Sequence, residues 1–165
     1  MTPEELEKGF YWNSLVNLGG LTKLRCGIDS HITENQLKQF DNNWCKYNEI
    51  KDPDNNRWGL ALTSKSGDID DNKHLNSFSY LKSHHGLTLS EADFTIPTAA
   101  YHGLPELAKI IDMFSPDIGR VHLLRIDRGG FWPFHRDFQG AVPEYFRLLL
   151  FFGNIYPTTF CTIFN

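Results

Sequence analysis

The chain of 165 residues carries 16 Lys and Arg against 20 Asp and Glu, a formal net charge of −4, and has no long basic run, which excludes the electrostatic footprint of a nucleic-acid-binding module. Its three cysteines, Cys26, Cys45 and Cys161, are odd in number and never form a Cys-x-x-Cys pair. That suggests neither a disulfide framework nor a structural zinc site, and suits reduced thiols in a cytoplasmic protein. No stretch reaches the apolar length of a membrane span, and the acidic opening MTPEELEKGF has no signal-peptide character, so neither membrane nor secretion is expected.

The length fits one domain that folds without staples, and 13 Phe, 6 Tyr and 4 Trp favour β-structure around an aromatic core or pocket. Thr2, Pro3, Glu4 and Glu5 combine an N-cap, a first-turn proline and early acids, predicting a short opening helix that ends near Gly9. Gly19 and Gly20 break the chain. Thr33 with Gln36 reads as a capping box opening a second short helix through Leu37 to Phe40. The stretch DNNWCKYNEIKDPDNNR is dense in Asn and Asp and reads as loop, with Trp44 and Tyr47 pinning it to the body.

Trp58 to Thr63 has the short apolar character of a buried strand, and the polar SKSGDIDDNKHLNS after it reads as a mobile loop. Its Asp68, Asp70 and Asp71 lack the glycine and terminal glutamate of a calcium loop and read as a solvated turn. His84 and His85 precede Gly86 at an expected loop end. As sequence neighbours they point apart, so exposed or substrate-facing roles fit them better than shared ligation. Leu104 to Phe114 is the clearest helix, with Pro105 in its first turn, Leu104, Leu107, Ile110, Ile111 and Phe114 on one face, and Ser115-Pro116 as its stop. An apolar stripe of this kind packs on a sheet, for which Val121 to Ile126 supplies a strand.

Asp127 to Gly130 is turn chemistry, and Phe131 to Phe138 reads as the next strand. On it His135 and Asp137 stand two residues apart and therefore share a face, while Phe134, Arg136 and Phe138 take the other. An imidazole and a carboxylate so placed are two thirds of the two-histidine, one-carboxylate arrangement that holds non-haem Fe(II) with open positions. Burying such groups beside Phe131, Trp132, Phe134 and Phe138 is costly unless they are paired or bind metal. The residues alone leave both readings open, a metal site and a hydrogen-bonded pair. Arg147 to Phe152 is a strand apolar on both faces, and Thr158 to Phe164 begins another.

The run VHLLRIDRGGFWPFHRDF, a strand, a glycine turn and an aromatic-Pro-x-His-Arg-Asp strand, resembles Fe(II)- and 2-oxoglutarate-dependent oxygenases. Within them it is most similar to the aspartyl/asparaginyl β-hydroxylase and proline hydroxylase-like group. The resemblance covers Gly119 to Phe152. It implies a mainly β fold with N-terminal helices (α+β), organised as a double-stranded β-helix, a cupin-like jelly roll. The single domain would be helix-rich over 1–117 with its β-helix core over 118–165. His135 and Asp137 would be the iron ligands. 2-oxoglutarate and dioxygen would be consumed as succinate and carbon dioxide form and a C–H bond of a small-molecule or peptidyl substrate, an amino acid or its side chain, is hydroxylated. Asp137 argues for hydroxylation, since relatives that halogenate replace this carboxylate with a small residue.

Arg147, and more weakly Arg125, are candidates to meet a carboxylate of 2-oxoglutarate or of the substrate, because a guanidinium matches that group with two parallel hydrogen bonds. Arg136 has the wrong parity, and His122 reads as a structural histidine. The resemblance departs from its pattern at the distal histidine and the basic residue after it: no histidine follows Asp137, and no Arg or Lys follows Arg147. The expectation is therefore a jelly roll incomplete at its C-terminus, continuing beyond residue 165, with the activity belonging to the full-length protein. The alternatives are a non-catalytic cupin-like domain that binds a small ligand and an inactive truncated homologue. Neither the substrate nor the oligomeric state is legible.

Overall fold

Residues His122–Ile126 form the strand β5 on which the architecture turns, and their partners lie some sixty positions earlier in the chain. The structure, a computed structural model, describes residues 30–49, 52, 54–70, 75–116 and 118–132. In chain order these give helix α1 (Ser30–Leu37), a 3₁₀ turn (Lys38–Asn43), strands β1 (Cys45–Lys46), β2 (Arg57–Ala61) and β3 (Thr63–Ser64), and helix α2 (Phe78–His85). A 3₁₀ turn (Glu91–Asp93), strand β4 (Ile96–Pro97), helices α3 (Ala99–Gly103) and α4 (Pro105–Asp112), and β5 follow. This is a mixed helix and sheet fold with two small antiparallel sheets, one ordered β1-β2-β5 and the other β3-β4. Among the described residues no barrel closes, and no helix is long and apolar enough to cross a membrane.

The register fixes what each sheet face carries. Residues directly opposite in an antiparallel pair share a face, and parity alternates along each strand. Lys46, Trp58, Leu60, Leu123 and Arg125 therefore lie on one face, and Cys45, Arg57, Gly59, Ala61, His122, Leu124 and Ile126 on the other. The first face receives the helices. Leu60 and Leu123 pack with Phe40, Leu62, Ala100, Leu104 and Leu107 into the hydrophobic core, against which Leu37, Trp44, Ile69, Tyr101, Ile111 and Val121 also lean. On the second face Leu75 occupies the space that a side chain at position 59 would fill, since a Cβ there would come within 2.8 Å of Leu75 Cδ1.

Two threonines tie the layers together. Thr98 Oγ1 donates to Ala61 O at 2.7 Å and accepts from Ala100 N at 3.2 Å, so one buried hydroxyl caps α3 and fastens it to the end of β2. Thr63 Oγ1 donates to Gly119 O at 3.0 Å and accepts from Val121 N at 2.7 Å, which carries the chain into β5 beside the end of β2. The same approach is held by Arg120, whose guanidinium meets Glu91 through Nε (2.7 Å) and Nη2 (2.9 Å) and lies over the Phe78 ring.

Several sequence expectations change in detail. The helix expected to open at Thr33 already runs from Ser30, with Thr33 inside it, and gives way to a 3₁₀ turn after Leu37. His84 and His85 end helix α2 instead of a loop, because Gly86 takes φ 65° and its N–H caps the last turn. The polar stretch 41–57 contains β1, whose two residues pair with Gly59 and Trp58. The clearest helix, expected over Leu104 to Phe114, runs Pro105–Asp112 with Leu104 at its N-cap, and a separate short helix, α3, precedes it. The expected opening helix lies outside the described residues, as do His135, Asp137 and Arg147; of the strand expected over Phe131 to Phe138, Phe131 and Trp132 are described and are not in a strand.

Candidate functional site

The strand that precedes the His-x-Asp stretch ends in a turn whose construction is visible. Asp127 N donates to Asn56 O at 3.0 Å, Gly130 N returns to Asp127 O at 2.8 Å, and Gly129 adopts φ 82°, a conformation open to glycine. Gly130 is also close-packed: a Cβ there would stand 2.9 Å from Asn56 O. Past the turn Trp132 folds back onto the sheet. Its ring lies 5.2 Å from that of Tyr47 and 4.9 Å from the Arg57 guanidinium, and Tyr47 in turn stacks on His122 at 5.7 Å. Arg57 and His122 belong to the second sheet face, so Trp132 is brought to that face.

Arg57 is only 4% exposed, and Asp52 holds it through Nη2 at 2.8 Å. A buried guanidinium needs such a counter-charge, and its flat face is free to lie on the Trp132 indole. The anchoring loop is knitted locally, with Arg57 N donating to Asn55 Oδ1 at 2.7 Å and Tyr47 N to Arg57 O at 2.9 Å. Farther along the same face Leu124 and Ile126 are 39% and 48% exposed, an apolar surface beside the aromatic one. Cys45 also belongs to this face, and burial, then the Asp70 and Glu49 carboxylates, push its thiol above the ordinary range.

Of the residues singled out from sequence, His135, Asp137 and Arg147 lie outside the described residues. Arg125 is described and stands on the first face: its guanidinium lies 4.9 Å from the Trp44 ring and 5.6 Å from that of Trp58, and Nε approaches Asp127 Oδ1 at 3.1 Å. The structure thus gathers His122, Tyr47, Arg57 and Trp132 on one side of the sheet and Arg125 with two tryptophans on the other. Sequence reading passed over Arg57, Lys46 and Trp58 as chemistry-bearing groups. The alternation in Trp44-Cys45-Lys46 and the adjacent Arg57-Trp58 pair are the signals that could have shown them.

Among the described residues no group of three or more His, Cys, Asp or Glu side chains is arranged to hold a metal ion. The donor set proposed for iron therefore depends on His135 and Asp137. No protein-family model, no curated protein and no solved structure matches the chain.

Proposed function

We propose that the chain is an Fe(II)- and 2-oxoglutarate-dependent dioxygenase of jelly-roll type that hydroxylates an amino acid or a peptidyl side chain, with His135 and Asp137 as iron ligands. The supporting observation is the return of the chain at Trp132 onto the Tyr47–His122 face of the sheet. Three positions separate Trp132 from His135, a span of at most about 11 Å of chain. An imidazole and a carboxylate are the hard and borderline donors that suit Fe(II). His135 and Asp137 would hold the Fe(II), which with 2-oxoglutarate and dioxygen would supply oxidation of a C–H bond, with succinate and carbon dioxide as co-products.

The chain's own residues supply the surroundings. The rings of Tyr47 and Trp132 meet at 5.2 Å, and Arg57, neutralised by Asp52, lies over the Trp132 ring. Arg147 is the first candidate to meet the carboxylate of the cosubstrate, and Arg125, on the face opposite Trp132, the second. Anaerobic calorimetry with Fe(II), paired with succinate formation from 2-oxoglutarate, tests the assignment. Fe(II) binding is expected in the unaltered chain and lost in His135→Ala and in Asp137→Ala. A chain without Fe(II) affinity, or one whose affinity survives both substitutions, overturns it.

The ring face also suits a second reading, a cupin-like domain that binds a small apolar or sugar-like ligand beside the exposed Leu124 and Ile126 without metal. Ligand binding that persists in a chelator favours that reading.

A further inference from the structure

On the sheet face opposite Trp132, the hydrophobic core stops at Leu60 and Leu123, and a row of alternating cations and indoles begins. Lys46 on β1, Trp58 on β2 and Arg125 on β5 are consecutive cross-strand partners, so they form a line across the sheet. Lys46 Nζ lies 4.8 Å from the centre of the Trp58 ring, and the Arg125 guanidinium 5.6 Å from the same centre and 4.9 Å from that of Trp44. All four side chains are partly exposed, and that of Arg125 is 41% exposed.

The charges in this row are not balanced from within. Among the described residues no carboxylate comes within ion-pair reach of Lys46, and Asp127 meets Arg125 only through Nε. Neither Nη of Arg125 makes a hydrogen bond to the described residues. Two cations around one indole repel each other, and each already uses a ring face as its apolar support. An anion beside the Trp58 ring offsets that repulsion, and a guanidinium can offer such a carboxylate or phosphate two parallel hydrogen bonds.

We propose that Lys46, Trp58, Arg125 and Trp44 form a binding site for a small oxyanion, a carboxylate or a phosphate group, on the sheet face opposite Trp132 and built from none of the iron ligands proposed above. Each cation keeps its place against an indole, and the anion is drawn to both charges. The site needs no iron, so its test is independent of the oxygenase reading.

The full chain, free of added metal, is titrated at low ionic strength with sodium succinate and separately with inorganic phosphate, while the indole N–H signals of its tryptophans are followed by NMR. Saturable shifts of the Trp44 and Trp58 signals, with that of Trp132 unmoved, are expected. Response to succinate alone marks a carboxylate site, response to phosphate alone a phosphoryl site, and response to both a general oxyanion site. Each of Lys46→Gln and Arg125→Gln is expected to weaken binding by roughly tenfold, the loss of one charge-assisted contact. Arg125→Lys, which keeps the charge and loses the fork, should fall between. Lys46→Gln removes no core packing, so it remains informative if the Arg125 variant folds poorly. Absence of saturable shifts with both anions, or unchanged affinity in Lys46→Gln and Arg125→Lys, overturns the proposal.

Discussion

Arg57, Arg120 and Arg125 all lie over aromatic rings, yet their surroundings give them different consequences. Arg120 and Glu91 have side chains 9% and 15% exposed and meet through two guanidinium nitrogens. Removing one charge from such a pair leaves the other buried and uncompensated. Glu91→Gln should therefore lower unfolding stability by about 3–5 kcal/mol, read as a drop in the denaturant midpoint with an unchanged slope. Cys45 makes a second prediction at this scale. Burial, reinforced by Asp70 and Glu49, raises the folded thiol above its unfolded value. The stabilising contribution is thus fully present below the unfolded pKa of about 8.5 and is lost as the pH rises through the folded one. Alkylation mapped by mass spectrometry should accordingly modify Cys45 more slowly at pH 8 in the native chain than in denaturant. Equal rates would contradict the placement of Cys45 beside those carboxylates.

At the scale of elements, the strands and helices are joined by single polar atoms. Thr98 Oγ1 serves β2 and α3 at once, donating to Ala61 O and accepting from Ala100 N. Thr98→Val keeps the shape and removes the bonds to Ala61 O and from the N–H groups of Ala100 and Tyr101. A loss of about 1–3 kcal/mol follows, with faster amide exchange expected in the first turn of α3. An unchanged exchange rate there would show that the cap is dispensable. Helix α4 and strands β2 and β5 were legible because their signals are local: an apolar stripe at helical spacing after Pro105, and short apolar runs bounded by turn residues. β1 and α3 were not, since a two-residue strand has no period and a five-residue helix holds its shape through Thr98 and the sheet.

For the whole molecule, the second sheet face joins the aromatic group of Tyr47, His122 and Trp132 to exposed Leu124 and Ile126. If iron binds beside it, Fe(II) stabilises the native state alone. At a hundredfold excess over Kd the gain is about 2.7 kcal/mol, seen as a raised melting temperature. His135→Ala should abolish that shift. The shift should also shrink as the pH falls below about 6.5, because protons compete with metal for a neutral imidazole. A shift that persists in His135→Ala would place the metal elsewhere.

The sequence by itself determined that the chain holds a buried strand near 58–63, a helix after Pro105, a strand and glycine turn before Trp132, and a His-x-Asp pair in aromatic surroundings. These follow from side-chain alternation, capping and turn preferences, which act over a few residues. Only the tertiary structure decided that β2 pairs with β5 across some sixty residues, that Trp132 returns to the Tyr47 side, and that Arg125 stands with Lys46 and two indoles on the other. Register is a non-local property. It is set by which strands meet, and a shift of one residue would exchange the two faces and every group on them.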